Sequence, residues 1–379
     1  MRGGVLISAG EASGDAHAAA LVRAIRELEP GLNFFGLGGP KLAEAGVELL
    51  AEAKKLAAVG VTEALPVLGQ AIQTLGRLKQ ALREARPLGV IVVDLPEINL
   101  RLAKAAKRLG LPVVYYIPPQ VWAWRPGRVR LLEERTDQII VIFPFEPDFY
   151  SAHGLEAFYS GHPFADLPPI SPAETKAYLE RLGLDLGRPV VGLLPGSRRN
   201  EISRLLAPLA EAARQLWRAR PELQFLLPVA PGLDEEQMRP ALDGLPVKMV
   251  EGQARQVLAA SRAALVCSGT ATLEAALTLT PMVVVYKASF ISALIGRALI
   301  KGVKHIAMPN LIAGSPVVPE LIQGQVSPRR LVEAISLLLD ESEARRTMLE
   351  GLALVKERIG PPGASRRAAG KVLEVLGRG

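Results

Sequence analysis

Short β-branched apolar runs alternate along this chain with longer segments of helical spacing, and no other feature constrains its fold as much. Continuous apolar runs suit strands buried on both faces, as in a parallel sheet covered by helices. In the first half the pattern predicts strands at Val5–Ala9, Phe34–Leu37, Val90–Asp94, Val113–Ile117, Ile139–Phe143 and Ala157–Ser160. In the second half it predicts Val190–Leu194, Gln224–Val229, Val247–Val250, Ala263–Cys267 and Met282–Tyr286. A Pro-rich stretch, from Gly161-His162-Pro163 to Pro168-Pro169-Ile170-Ser171-Pro172, separates the halves as a semi-rigid linker. The 379 residues make two domains of ordinary size, 1–168 and 169–363. Gly360-Pro361-Pro362-Gly363 then breaks the helical pattern before a last helix at about Ala364–Leu376, within residues 364–379. The expected fold class is α/β: two doubly wound, Rossmann-like domains facing across a cleft, with ligands at the carboxyl ends of the strands.

Hydrophobic residues make up 49% of the chain, so each half can bury a normal core. The single cysteine, Cys267, excludes an intramolecular disulfide framework and reads as a small core residue. The apolar start Val5-Leu6-Ile7 is too short for a signal-peptide core, and no apolar run is long enough to span a bilayer. The formal charge of +7 favours anionic partners. The basic residues are scattered, without a Lys/Arg block or a basic stripe interleaved with aromatics, which argues against nucleic acid.

The segment Leu265-Val266-Cys267-Ser268-Gly269-Thr270-Ala271-Thr272-Leu273-Glu274 is the most informative motif. An apolar strand hands over to a helix whose first N–H groups and dipole can hold a phosphate. Thr270 is expected to cap that helix, Ser268 and Gly269 allow close approach, and Glu274 sits one turn in, where a carboxylate can bind a ribose diol. An ordinary strand–helix turn has the same outline. Leu194-Pro195-Gly196-Ser197-Arg198 is a second turn of this kind; its backbone can wrap a phosphate beside the Arg198 guanidinium.

In the first half, Gly10-Glu11-Ala12-Ser13-Gly14-Asp15 opens a helix after the first strand, but fits neither a GxGxxG nor a P-loop spacing. Gly36-Leu37-Gly38-Gly39-Pro40 is another glycine turn. Asp94 ends an apolar strand, where a carboxylate can serve as general base or simply cap the next helix. Glu97 and Asn99 can line the same pocket. Gln120, Trp122, Trp124 and Arg125 suit a sugar or acyl-chain wall, or fill space under a loop. His17, His153, His162 and His305 show no ligand spacing, so no metal site is expected; His162 suits a local backbone contact. No G-x-S-x-G elbow supports a hydrolase. The Val61–Leu82 and Phe290–Ile300 segments are apolar at helical spacing with basic neighbours, as in a membrane-interface helix or an ordinary amphipathic one.

Taken in order, these motifs resemble lipid-A-disaccharide synthases, inverting glycosyltransferases of the two-domain GT-B type. The resemblance runs from Ser8-Ala9-Gly10-Glu11-Ala12-Ser13-Gly14-Asp15 through Gly38-Gly39-Pro40, Asp94-Leu95-Pro96-Glu97-Ile98-Asn99, Val121-Trp122-Ala123-Trp124-Arg125 and Gly161-His162-Pro163. It continues through Leu194-Pro195-Gly196-Ser197-Arg198 and Ser268-Gly269-Thr270-Ala271-Thr272-Leu273-Glu274 to Met308-Pro309-Asn310-Leu311. It implies transfer from UDP-2,3-diacylglucosamine to 2,3-diacylglucosamine 1-phosphate, giving a β(1→6) disaccharide 1-phosphate and UDP, with no cofactor and no metal. Asp94 would be the base. Gly196, Ser197, Arg198, Ser268, Gly269, Thr270, Glu274 and Asn310 would serve the nucleotide. Glu11, Ser13, Gly14, Asp15, Glu97, Asn99, Gln120, Trp122 and Arg125 would lie on the acceptor side. The first domain would bind the acylated acceptor and the second the UDP-sugar. The last helix would return to the first domain. The protein would sit peripherally on the anionic cytoplasmic face of the inner membrane. Where many relatives read Asp-x-Pro-Asp-Phe-Asn, this chain has Glu97 and Ile98. The competing readings are another GT-B protein that uses a UDP-sugar, such as a transferase to a different lipid or a UDP-N-acetylglucosamine 2-epimerase, and a catalytically silent lipid- or nucleotide-binding protein.

Overall fold

The computed structural model describes residues 3–10, 12–53, 64–124, 126–288 and 305–378. The chain divides into two compact units, Met1–Leu167 with Gly360–Gly379, and Pro168–Ile359.

Among the described residues, the first unit holds one parallel sheet of β1 (Val5–Ala9), β2 (Phe34–Gly38), β3 (Glu48–Glu52), β4 (Gly89–Val93), β5 (Val113–Tyr116), β6 (Gln138–Val141) and β7 (Ala157–Tyr159). The order is β3-β2-β1-β4-β5-β6-β7. The second unit holds β8 (Val190–Leu194), β9 (Gln224–Val229), β10 (Val247–Glu251), β11 (Ala263–Cys267), β12 (Met282–Tyr286) and β13 (Glu320–Ile322). Its order, β10-β9-β8-β11-β12-β13, repeats the same winding. In each sheet the chain winds outward from its first strand, then crosses back to that strand's other side. The direction therefore reverses between β1 and β4, and again between β8 and β11. Open parallel sheets bind ligands at such switch points, beyond the carboxyl ends of the strands.

The strands flanking both switch points are buried along their whole length. Each buried Val, Leu or Ile contributes about 1.5–3 kcal/mol, so these central strands make a rigid floor for the turns that follow them. Strands β3 and β13 were absent from the sequence pattern. Both are edge strands with half-exposed or exposed residues and a Glu, so neither carries the apolar run of an interior strand.

Helix Ala64–Ala85 buries Leu75, Leu78 and Leu82, while Ile72 is 61% exposed. Pro66 lies in its first turn, where a missing N–H breaks no bond. The start of the predicted Val61–Leu82 pattern, and all of Phe290–Ile300, lie outside the described residues. Helix Ala364–Val375 packs on helix Ala12–Leu28 within the first unit. Asp166 caps it, accepting from the Gly363, Ala364 and Ser365 N–H groups at 2.6, 2.8 and 2.8 Å. Among the described residues no helix is long and apolar enough to cross a membrane.

Candidate active site

Four of the motifs picked from the sequence follow the four strands at the two switch points. In the first unit the Gly10–Asp15 turn follows β1 and the Asp94–Asn99 turn follows β4, with Ala9 paired to Val93 so that the strands end level. The turns touch. A Cβ on Gly10 would lie 2.7 Å from the Leu95 Cβ, and one on Gly14 would lie 3.6 Å from the Asp94 Cβ. Glycine at position 10 is therefore what lets the first turn close against the second.

Asp94 is half-buried just beyond β4, not the last residue of the strand. It has a φ of 49°, and Leu95, the N-cap of helix Pro96–Arg108, has 45°. Left-handed backbone is costly for residues with a Cβ and concentrates at functional sites. Leu95, the N-cap residue itself, makes no side-chain capping bond. The Asp94 carbonyl oxygen accepts from Asn99 Nδ2 and from the Tyr115 hydroxyl, each at 2.7 Å.

Asn99 was expected to line the pocket; the structure instead buries it completely. Its Oδ1 accepts from Ser8 Oγ at 2.6 Å, and its Nδ2 also reaches the Ser8 and Val93 carbonyls. It ties β1, β4 and the Asp94 turn together. Asp15 is likewise buried, its carboxylate accepting from the Gly39, Lys41 and Leu42 N–H groups at 2.7, 2.9 and 3.3 Å. It joins the first glycine turn to the second. Ser13, Glu97 and Gln120 are exposed, with Glu97 3.5 Å from Arg128. Glu11 and Arg125 lie outside the described residues.

Trp122 donates its indole N–H to Glu146 at 3.2 Å and meets Phe145 edge-on at 5.1 Å. Glu146 gave no signal in the sequence, because its partners come from another turn. Burial pushes its carboxyl up to about 7, against the bonds from Phe143, Trp122 and Ile142 that favour the charge. The rings continue through Phe143 and His162 to His17 and Phe164. His162 accepts from the Phe164 N–H, the local role its position suggested.

In the second unit the Gly196–Arg198 turn follows β8 and the Ser268–Gly269 turn follows β11, the two strands being paired. Gly196 has a φ of 119°. The Ser197 and Arg198 N–H groups donate to Glu201 Oε2 at 2.9 and 3.2 Å, and Arg198 Nη1 meets Oε1 at 3.3 Å. Glu201, at the third position of helix Arg199–Ala219, thus reaches back to the N–H of its N-cap residue, Arg198.

Helix Thr270–Leu277 starts one residue earlier than a Thr270 cap requires. Gly269 is the N-cap, at a φ of 152° that a β-branched threonine does not adopt, and Thr270 is the first helical residue. No side chain caps this end among the described residues, and Thr270 is exposed. Burial raises the Glu274 carboxyl above its ordinary pKa, partly offset by Arg255. Burial also pushes the Cys267 thiol up to about 12, so it is inert at neutral pH. Ser268 Oγ donates to the Ile306 carbonyl at 3.0 Å. The segment beyond is organised by Glu320, which accepts from the Ile306 and Ala307 N–H groups and from Asn310 Nδ2. Asn310 is buried and holds Val317 and Val318 as well. Glu320 lies on an unpredicted edge strand, so sequence reasoning missed it.

The model of the family described as lipid-A-disaccharide synthetase matches residues 5–367. The lipid-A-disaccharide synthase of Anaeromyxobacter dehalogenans is 46% identical over 375 residues, covering 98% of this chain and 97% of that protein. That of Myxococcus xanthus is 47% identical over 374 residues, with 98% and 97% covered. The chain belongs to the lipid-A-disaccharide synthase family. It is thus a glycosyltransferase with a role in lipid A biosynthesis. Among solved structures, the Neisseria meningitidis UDP-GlcNAc 2-epimerase bound to UDP-GlcNAc superposes with a TM-score of 0.65 at 13% identity, covering 98% of this chain and 99% of that one. The calicheamicin glycosyltransferase CalG4 gives 0.60 at 17%, covering 100% and 99%. At such identities the likeness concerns the fold, which is GT-B.

Proposed function

We propose that the protein joins UDP-2,3-diacylglucosamine to 2,3-diacylglucosamine 1-phosphate, releasing a β(1→6)-linked disaccharide 1-phosphate and UDP. The observation that carries this reading is the placement of Asp94 at a switch point, in a strained backbone state that a plain helix start does not need. The acceptor 6-hydroxyl oxygen attacks the anomeric carbon. Asp94 takes the hydroxyl proton, the bond from that carbon to the diphosphate breaks, and the configuration inverts.

The leaving diphosphate is held by Arg198 and by the N–H groups opening helix Thr270–Leu277 behind Ser268 and Gly269, with Gly196 and Ser197 forming the turn that presents Arg198. Glu274 binds the ribose. Asn310 acts on the nucleotide side through the segment it shares with Glu320. On the acceptor side, Trp122, Gln120, Ser13 and Glu97, with Glu11 and Arg125, meet the acylated sugar, while Gly14, Asp15 and Asn99 shape the turns. The first unit takes the acceptor and the second the UDP-sugar. The net positive charge fits peripheral attachment to an anionic cytoplasmic membrane face.

Purified protein incubated with both acylated sugars in mild detergent, followed by mass spectrometry, tests the reading. Disaccharide and UDP should appear together, and Asp94→Ala should lower the rate by about 10²–10⁴-fold while UDP still binds. UDP binding without disaccharide would overturn the acceptor assignment, and interconversion of free UDP-sugars would mark an epimerase.

A further inference from the structure

Two buried side chains converge on the backbone of Asp94, and their geometry assigns them a part in the reaction. Asp94 and Leu95 are consecutive left-handed residues with a Cβ, a strained backbone state. Such a pair persists only where its surroundings over-determine it. The Asp94 N–H donates to the Ile117 carbonyl at 3.2 Å. The Asp94 carbonyl accepts from Tyr115 Oη, on the neighbouring strand β5, and from Asn99 Nδ2, on the helix that follows, both at 2.7 Å. Both donor residues are fully buried, and Asn99 is itself fixed by Ser8. With its N–H and carbonyl both tied, the direction of the Asp94 Cα–Cβ bond is set before any ligand arrives.

A glycine at position 94 would relieve the strain without help. The chain instead keeps a carboxylate there and brings two polar groups through the core to hold its backbone. We propose that Tyr115 and Asn99 are positioning residues for Asp94: they fix the backbone state that aims the carboxylate at the acceptor hydroxyl. The proposal rests on the reading of Asp94 as the general base.

The test is Tyr115→Phe in the full chain, which deletes one hydroxyl, keeps the ring in the core and leaves Asn99 on the same carbonyl. Turnover is measured with the 6-hydroxyl acceptor and with an acceptor carrying a thiol at that carbon. A thiol ionises near pH ~8.5 and needs little help from a base. Tyr115→Phe should lower kcat by about tenfold with the hydroxyl acceptor, less than the roughly hundredfold that an ångström of misplacement brings. The KM for the donor and the affinity for UDP should be unchanged, and the loss should vanish with the thiol acceptor. Asn99→Ser should act in the same sense.

An unchanged kcat in Tyr115→Phe would overturn the proposal. So would an equal fractional loss with both acceptors, because a purely structural defect does not distinguish the nucleophiles. Asp94→Asn, run alongside, separates the two failures. If it is as active as wild type on the hydroxyl acceptor, the base assignment falls and takes the proposal with it. If it is inactive while Tyr115→Phe is normal, only the positioning role falls.

Discussion

Removing the Asp166 carboxylate should loosen the first unit at its last helix. Three of the four N–H groups left unpaired at the start of helix Ala364–Val375 point to this one side chain: Oδ1 takes Gly363 and Ala364, and Oδ2 takes Ser365. Losing a helix cap costs about 0.5–2 kcal/mol, and bonds to a charged acceptor put this cap at the upper end, about 2 kcal/mol. In a unit of this size each kcal/mol lowers Tm by roughly 2–4 °C, so Asp166→Ala should melt about 4–8 °C lower. Asp166→Asn keeps an oxygen for Gly363 and Ala364 but loses Ser365, and should fall between. Burial by itself would raise the Asp166 pKa, but the bonds from Ser365, Ala364 and Gly363 outweigh it and hold the carboxyl below 3.8. Its contribution is therefore complete above that ordinary value and is lost as pH falls through the lowered one. Calorimetry gives Tm, and hydrogen exchange shows whether lost protection is confined to residues 364–375. Equal Tm values at neutral pH, or a deficit undiminished in strong acid, would refute the reasoning.

Gly10→Ala should lower kcat by about a hundredfold with UDP affinity intact, since the new methyl would displace Leu95 and the Asp94 turn with it; wild-type turnover would show that the turn yields elsewhere. Arg198→Ala should weaken UDP binding and turnover together, and calorimetric titration showing normal UDP affinity would remove its diphosphate role. Glu146, raised by burial from 4.5 to about 7, contributes stability that is complete below its ordinary value and lost as pH rises through about 7. The cost approaches roughly 3 kcal/mol, at 1.36 kcal/mol for each pH unit. Denaturant unfolding should therefore weaken across that window in wild type, and the same slope in Glu146→Gln would assign it to another group.

The interior strands and the four turns at the switch points were legible in the sequence because their cause is local. Val90 to Val93 are apolar at every position, and Gly196-Ser197-Arg198 and Ser268-Gly269 stand directly after such runs. Periodicity of burial and the φ demands of glycine act over a few neighbouring residues, so they leave a mark in the linear order. The edge strands β3 and β13 left none: Glu48 and Glu52 of β3 face water, and β13 is three residues long and opens with Glu320, whose partners come from another segment. The roles of Asn99, Tyr115, Glu146 and Glu320 were set only by tertiary structure. Asn99 stands five residues from Asp94, yet reads as pocket lining until its amide is seen beneath the turn, bonded to Ser8 across 91 residues. A buried polar group must find its partner wherever the fold brings one. The sequence by itself determined which strands lie inside and where the reactive turns begin; the packing of distant segments decided which polar side chains face a ligand and which hold the backbone that presents it.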